Sequence, residues 1–247
     1  MDHAPIAYVL LEQPSWPDPE ALAKALSSRH PDVPFQKPTE GPPFVFPFAG
    51  EVAVVMAIDQ PIPAAPEIWD RAAFTWPQAR ETASRHRAHL IVSMMGDVSF
   101  KTVRAVTALT GALLDCAPGA TAVVWGSILA RSAAYWREQS RAAYAQYPNY
   151  PNLLWVDILP VRIGEGTGAL TVGLERFIER EIEFHAGRLS QAEVLSKVDG
   201  LATYLIEHGS VIKDGDTIGE SRDERILVRH RYSEVYSGVP VLRVTPA

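Results

Sequence analysis

Residues 153–172 read LLWVDILPVRIGEGTGALTV, and the class of fold turns on this stretch. Leu153 to Ile163 predicts a long strand, because it is rich in Val, Ile and Leu and bounded by turn residues. Gly164, Gly166 and Gly168 then supply a hairpin connection into a second strand, Ala169 to Val172. Strands joined so tightly run antiparallel, since a parallel pair needs a crossover of a dozen or more residues. The glycine cluster opens no helix, so it reads as a turn and not as a phosphate cradle.

Toward the C-terminus, Leu174 to Ile178 fits a helical turn, after which Glu179, Glu181 and Glu183 alternate with Arg180, Ile182 and Phe184 as in a strand. Ser190 is placed to cap an amphipathic helix carrying Val194, Leu195, Val198, Leu201, Ala202, Leu205 and Ile206, with Gly209 at its end. Val211-Ile212, Ile226 to Val228 and Val239 to Val244 provide closing strands.

Toward the N-terminus, Ile6 to Leu11 predicts a strand, followed by a helix with Leu22, Ala25 and Leu26 inward. Six prolines between residues 31 and 47 make that stretch loop or edge strand, because each removes a backbone donor. Strands follow at Glu51 to Ile58, His89 to Met95 and Ala120 to Trp125. Between the last two lies a Ser99-capped helix with Val103, Val106, Leu109, Leu113 and Leu114 on one stripe. A helix with Tyr135, Trp136 and Ala143 ends before residues 147–151. The expectation is an α+β chain of mixed, mainly antiparallel sheets with helices packed on one face. Two ferredoxin-like halves, residues 1–150 and 151–247, packed as one unit, satisfy this order.

Composition narrows the function. Hydrophobic residues make up 47% and charged residues 21% of 247 residues, which suits a folded globular chain. A net charge of −6 disfavours nucleic acid, whose affinity comes from clustered Lys and Arg. No apolar run reaches the roughly twenty residues that span a bilayer, and the N-terminus lacks a signal-peptide pattern, so neither membrane nor secretion is expected. Cys116 is the one cysteine, which suits a reducing, cytoplasmic setting and leaves no disulfide or multi-thiolate metal site.

Four motifs in the last third carry a family resemblance. They are Thr171-Val172-Gly173-Leu174, Glu181-Ile182-Glu183, Tyr204-Leu205 with Gly209, and Asp214-Gly215-Asp216-Thr217-Ile218-Gly219. Together they resemble the bacterial family known as domain of unknown function 4261. One departure is Ile178, which follows Phe177 where that pattern often has glycine. The resemblance implies a shared fold for this part and no particular reaction.

Several side chains are candidates for chemistry. Glu181, Glu183 and His185 share a strand face, and crowded carboxylates can shift one another's pKa enough to make an acid and a base. A strand with one solvated face shows the same alternation. Asp214 and Asp216 flank Gly215 as half of an ion loop would, or as a tight turn would. His86 and His89 have the spacing of two zinc ligands, without a third. Trp136 and Tyr147, within an aromatic-rich central stretch, are candidates for an exposed binding surface, and Asp97 and Ser127 lie just past strand ends. These readings favour a cytoplasmic binding or accessory protein that recognises a protein partner or a small ligand, with no cofactor and with self-association open. A hydrolase using the acidic cluster or a bound metal ion is the alternative.

Overall fold

A computed structural model describes residues 5–39, 43–63, 66–96, 99–219 and 224–246. The chain divides into two compact units, Met1–Leu154 and Trp155–Ala247. The first contains β1 (Ile6–Leu11), α1 (Pro19–Arg29), β2 (Phe44–Phe48), β3 (Glu51–Ile58), α2 (Pro66–Ala72), α3 (Ala79–Arg85), β4 (Ala88–Met94), α4 (Phe100–Cys116), β5 (Ala120–Trp125), β6 (Leu129–Ser132) and α5 (Ala133–Gln139). Its strands form one sheet in the order β2-β3-β4-β1-β5-β6, with every neighbouring pair antiparallel.

The four inner strands, β3-β4-β1-β5, with α1 and α4 as crossovers, have ferredoxin-like connectivity. The proline-rich stretch does become an edge: β2 carries Pro47 and pairs on one side with β3. Helices cover both sheet faces here, where one was expected. α4 packs on β1 and β4, while Leu10, Ala122, Val124 and Ala130 on the opposite face bury Ile68, Trp69 and Ala72 of α2 and Ala79 and Ala83 of α3. The strand β6 was not anticipated, because its four residues, Leu-Ala-Arg-Ser, are too few to show a period.

The second unit contains β7 (Asp157–Ile163), β8 (Gly166–Val172), α6 (Glu175–Ile178), β9 (Glu181–His185), α7 (Gln191–His208), β10 (Thr217–Ile218), β11 (Ile226–Tyr232) and β12 (Pro240–Pro246). The sheet order is β10-β11-β12-β9-β8-β7. The glycine-rich hairpin between β7 and β8 forms as expected, although β7 begins at Asp157 and leaves Trp155 buried outside the strand, against Phe177. The helix α7 carries the anticipated Ser190 cap, completed by Glu193 as a capping box, and the anticipated Gly209 terminus, and lies against β7, β8 and β9. Ferredoxin-like connectivity stops at the first unit, because β9 and β12 pair in parallel. Val211-Ile212 lies outside any strand.

One close approach explains a glycine inside α4. Arg29, at the end of α1, is buried and donates to Asp115 Oδ2 at 2.9 Å, to Ser140 Oγ at 2.7 Å and to the Arg137 carbonyl at 2.6 Å. This tie draws residues 137–140 so near to α4 that a Cβ on Gly111 would sit 2.1 Å from Ser140 Oγ and 2.8 Å from Arg29 Nη2. Glycine costs about 1 kcal/mol in a helix interior relative to alanine, so a free site would gain from the exchange. Gly111→Ala is instead expected to destabilise the protein by about 2 kcal/mol through overpacking, read as a lower urea midpoint at unchanged slope.

Candidate ligand-binding site

An open cleft of about 420 Å³ lies at the start of α4, within the first unit. Its lining comes from separate segments: Asp32, Val33 and Pro34 after α1, Ala49 and Gly50 in the β2–β3 turn, Phe100, Lys101 and Arg104 of α4, and Tyr144 after α5. The helix begins there because Ser99 and Thr102 form a reciprocal capping box: the Ser99 N–H donates to Thr102 Oγ1 at 2.9 Å and the Thr102 N–H to Ser99 Oγ at 3.2 Å. Ala49 and Gly50 both have positive φ, 55° and 78°, which closes the β2–β3 hairpin in a two-residue turn.

The cations are held in place. Arg104 donates from Nε to the Ala143 carbonyl at 2.6 Å and from Nη2 to the Ala145 carbonyl at 2.9 Å. Its guanidinium lies over the rings of Phe100 and Tyr144, 5.2 Å from each centroid. Lys101 Nζ donates to Glu51 Oε1 at 2.6 Å. The first turn of α4 contains no acidic residue, whereas α1, α2, α3, α6 and α7 have Glu20, Glu67, Glu81, Glu175 and Glu193 there. Two cations thus stand at the positive end of a 17-residue helix, a placement that favours a negative guest.

Beside the cleft are two polar atoms without hydrogen-bond partners, Tyr144 Oη and His30 Nε2. Their rings meet edge-on at 5.4 Å, and His30 is only 6% exposed. Burial, with Arg29 and Arg141 nearby, pushes the His30 imidazole down to about 4, so it is neutral at pH 7. Burial raises the Tyr144 phenol, which keeps its proton. A buried polar atom with no partner is uncommon and costs stability.

The acidic strand residues are arranged differently from the expectation. Glu181 and Glu183 of β9 do not lie on a wet face: they are 4% and 0% exposed. Glu181 accepts from Thr171 Oγ1 at 2.6 Å and from the N–H groups of Gly173, Leu174 and Glu175 at 2.7, 3.2 and 3.3 Å. Burial pushes this carboxyl up to about 7, against the hydrogen bonds that favour its ionised form. Glu183 accepts from Ser233 Oγ at 2.6 Å, the Glu234 N–H at 2.8 Å and Arg243 Nε at 3.2 Å, with His185 Nε2 at 3.4 Å. Burial raises it too, but the Ser233, Glu234, His185 and Arg243 interactions outweigh this and hold it below the usual carboxylate range. The chain's own donors thus occupy both carboxylates.

The remaining candidates have local partners. Asp214 accepts from the His230 N–H at 2.8 Å and Asp216 from the Lys213 N–H at 2.7 Å, so both serve the turn that leads to β11. Among the described residues, no group of three or more His, Cys, Asp or Glu side chains is arranged to hold a metal ion. His86 Nε2 accepts from the Ile62 N–H at 2.9 Å, and His89 Nδ1 meets the Gln60 carbonyl at 2.7 Å. Trp136 is a core residue and not a surface one: it is fully buried, near Trp125, with Nε1 donating to the Thr107 carbonyl at 3.4 Å. Tyr147 is 47% exposed, and Ser127 is exposed in the β5–β6 turn at φ 62°. Asp97 lies outside the described residues. The strand-end argument for Asp97 and Ser127 presumes a parallel sheet, and this sheet is antiparallel. Cys116 is partly buried, and burial, helped by the Asp115 charge, pushes its thiol up to about 12.

The raised Glu181 value has a signed consequence. The folded state holds this proton over a range where the unfolded chain has lost it, so its stabilising effect is full below about pH 4.5 and is lost as pH rises through about 7. Wild-type unfolding free energy should therefore fall between pH 5 and pH 8, relative to Glu181→Gln, by up to about 3 kcal/mol. Urea titrations of both proteins at the two pH values measure this difference, and parallel profiles would contradict it.

No curated protein and no solved structure matches the chain. The match that is found covers the part of the second unit that carries Glu181, Glu183 and the Asp214 turn: residues 170–245 are similar to the family described as Domain of unknown function (DUF4261).

Proposed function

We propose that the chain is a cytoplasmic bacterial binding or accessory protein whose first unit takes a small anionic ligand in the cleft at the start of α4. The observation that carries this reading is the convergence of Lys101 and Arg104 with the aromatic walls of Phe100 and Tyr144 around an open cleft. Pockets that bind small molecules share this plan of apolar walls with a few placed polar groups. The single cysteine supports a reducing compartment. A hydrolase built on Glu181, Glu183 and His185 has weaker support, since the carboxylates already accept from the chain's own donors.

Ligand-observed NMR with a mixture of small phosphates and carboxylates tests the reading. Saturation-transfer signals are expected from at least one anion, weakening as salt is raised and vanishing in Lys101→Glu. Signals indifferent to this substitution for every anion would sink the proposal.

A second reading, recognition of a protein, is favoured by one observation. Val45 of β2, Val52 and Met56 of β3, and Met95 are exposed, on or beside the outer strands. If this apolar surface joins two copies of the chain, Val45→Lys with Met56→Lys should lower the mass measured by light scattering from dimer to monomer. An unchanged dimer mass, or a wild-type monomer, counts against it.

A further inference from the structure

We propose that a second copy of this chain packs face to face on the outer surface of β2, β3 and β4, an inference that rests on the protein-recognition reading of that surface. The strand register defines the surface. Val45, Val54, Ser93 and Ile6 lie abreast on it, as do Met56, Ile91 and Tyr8. Pro47 and Val52 pair beside Met95, whose N–H donates to the Val52 carbonyl at 2.8 Å. None of these side chains is Asp, Glu, Lys, Arg or His, and the Ser93 hydroxyl is already spent on the Pro5 carbonyl at 3.1 Å.

Area and charge select a second copy as the occupant. Val45 and Met95 are 58% and 59% exposed, Met56 and Val52 38% and 36%. With exposed Pro47 and half-buried Ile6, Val54 and Ile91, the patch comes to roughly 500 Å² of apolar surface, near the most that a lone domain leaves uncovered. Two such patches together bury about 1,000 Å², the lower bound for a specific contact. Each chain carries a net charge of −6, so two copies meet best where neither brings a charge. A symmetric contact must also be complementary to itself, which rows of uncharged side chains satisfy and a charged surface does not.

Pairing along the edge of β2 is obstructed. Pro47 has no N–H, its carbonyl accepts from the Gln36 N–H at 2.9 Å, and the Ala49 N–H donates to the Pro34 carbonyl at 2.9 Å. Residues 34–36 thus stand where a neighbouring strand would add, with Phe35 bridged to Phe48. The face remains, and the helices beside it fix the orientation. α2 and α3 cover Leu10, Ala122, Val124 and Ala130 on the same side of β1, β5 and β6. A second sheet stacked at roughly 10 Å meets that helix layer unless its β2 lies toward the helices and its β1 away. A twofold axis running along β3 gives this reversed order, and along it Val52, Val54 and Met56 each stand opposite their own counterparts.

Sedimentation velocity on the full chain tests the proposal. The wild type is expected at twice the mass of one chain at about 100 μM and to dissociate on dilution toward about 1 μM. Met56→Lys and Met56→Glu should each be monomers, and mixing them should restore the dimer, because Lys then faces Glu across the axis. A misfolded variant could not be rescued in this way. Two residues before Pro47, Val45 turns its N–H the same way, so Val45→Pro removes an edge donor, keeps an apolar side chain and should leave the dimer intact. A dimer lost in Val45→Pro but kept in both Met56 variants, or a mixture that stays monomeric, would overturn the face-to-face arrangement and leave self-recognition standing. A wild-type monomer at every concentration would overturn both.

Discussion

The first unit depends on how α4 is held. Twelve of its seventeen residues are buried, so the helix is fixed by its contacts with the sheet and with α1 and has little freedom to tilt or slide. Near its C-terminal end Arg29 and Arg137 share Asp115. Near its N-terminal end Arg104 grips two carbonyls of the segment after α5 and thereby sets Tyr144 above the first turn. The cleft is a by-product of that second clasp, which together with the edge-on packing of His30 holds the Tyr144 ring in place.

The second unit solves a different problem, which is how to keep charge inside a sheet. Glu181 and Glu183 lie on a strand with neighbours on both sides, where an unpaired carboxylate would be prohibitive. Glu181 gathers the amides at the start of α6 and ties that turn to the sheet. Glu183 does the same for the turn after β11, with Arg243 of the parallel partner strand as counter-charge. The opposite directions of their pKa shifts follow from the balance of burial against donors: burial outweighs the hydrogen bonds to Glu181, whereas at Glu183 the Ser233, Glu234 and His185 hydrogen bonds, with Arg243, outweigh burial. Pairs of carboxylates pushed apart in this way also occur at acid–base sites, but there an oxygen must be left for a substrate.

Much of the framework was legible. The strands β1 and β5 begin and end where the apolar runs do, and Ser99, Ser190 and Gly209 cap their helices as their side chains or lack of one predict. Hidden were features that depend on partners far along the chain. Alternation along residues 179–185 tells which side chains share a face, but not that Glu181 and Glu183 are buried there with donors such as Thr171, Ser233 and Arg243 from other strands and turns. Trp136 looks the same in sequence whether it is covered or open. The cleft escaped notice because its walls come from separate segments, although one signal was present: a Ser-capped helix that opens with Lys101 and Arg104 and no acid.

The lone thiol gives the molecule a practical property. Burial that pushes the Cys116 thiol up to about 12 disfavours its thiolate, the form that alkylating reagents attack. The native cysteine should therefore react with maleimides more slowly than an exposed thiol. A second cysteine introduced on an exposed loop would take up a fluorophore or spin label first, leaving the parent residue in place.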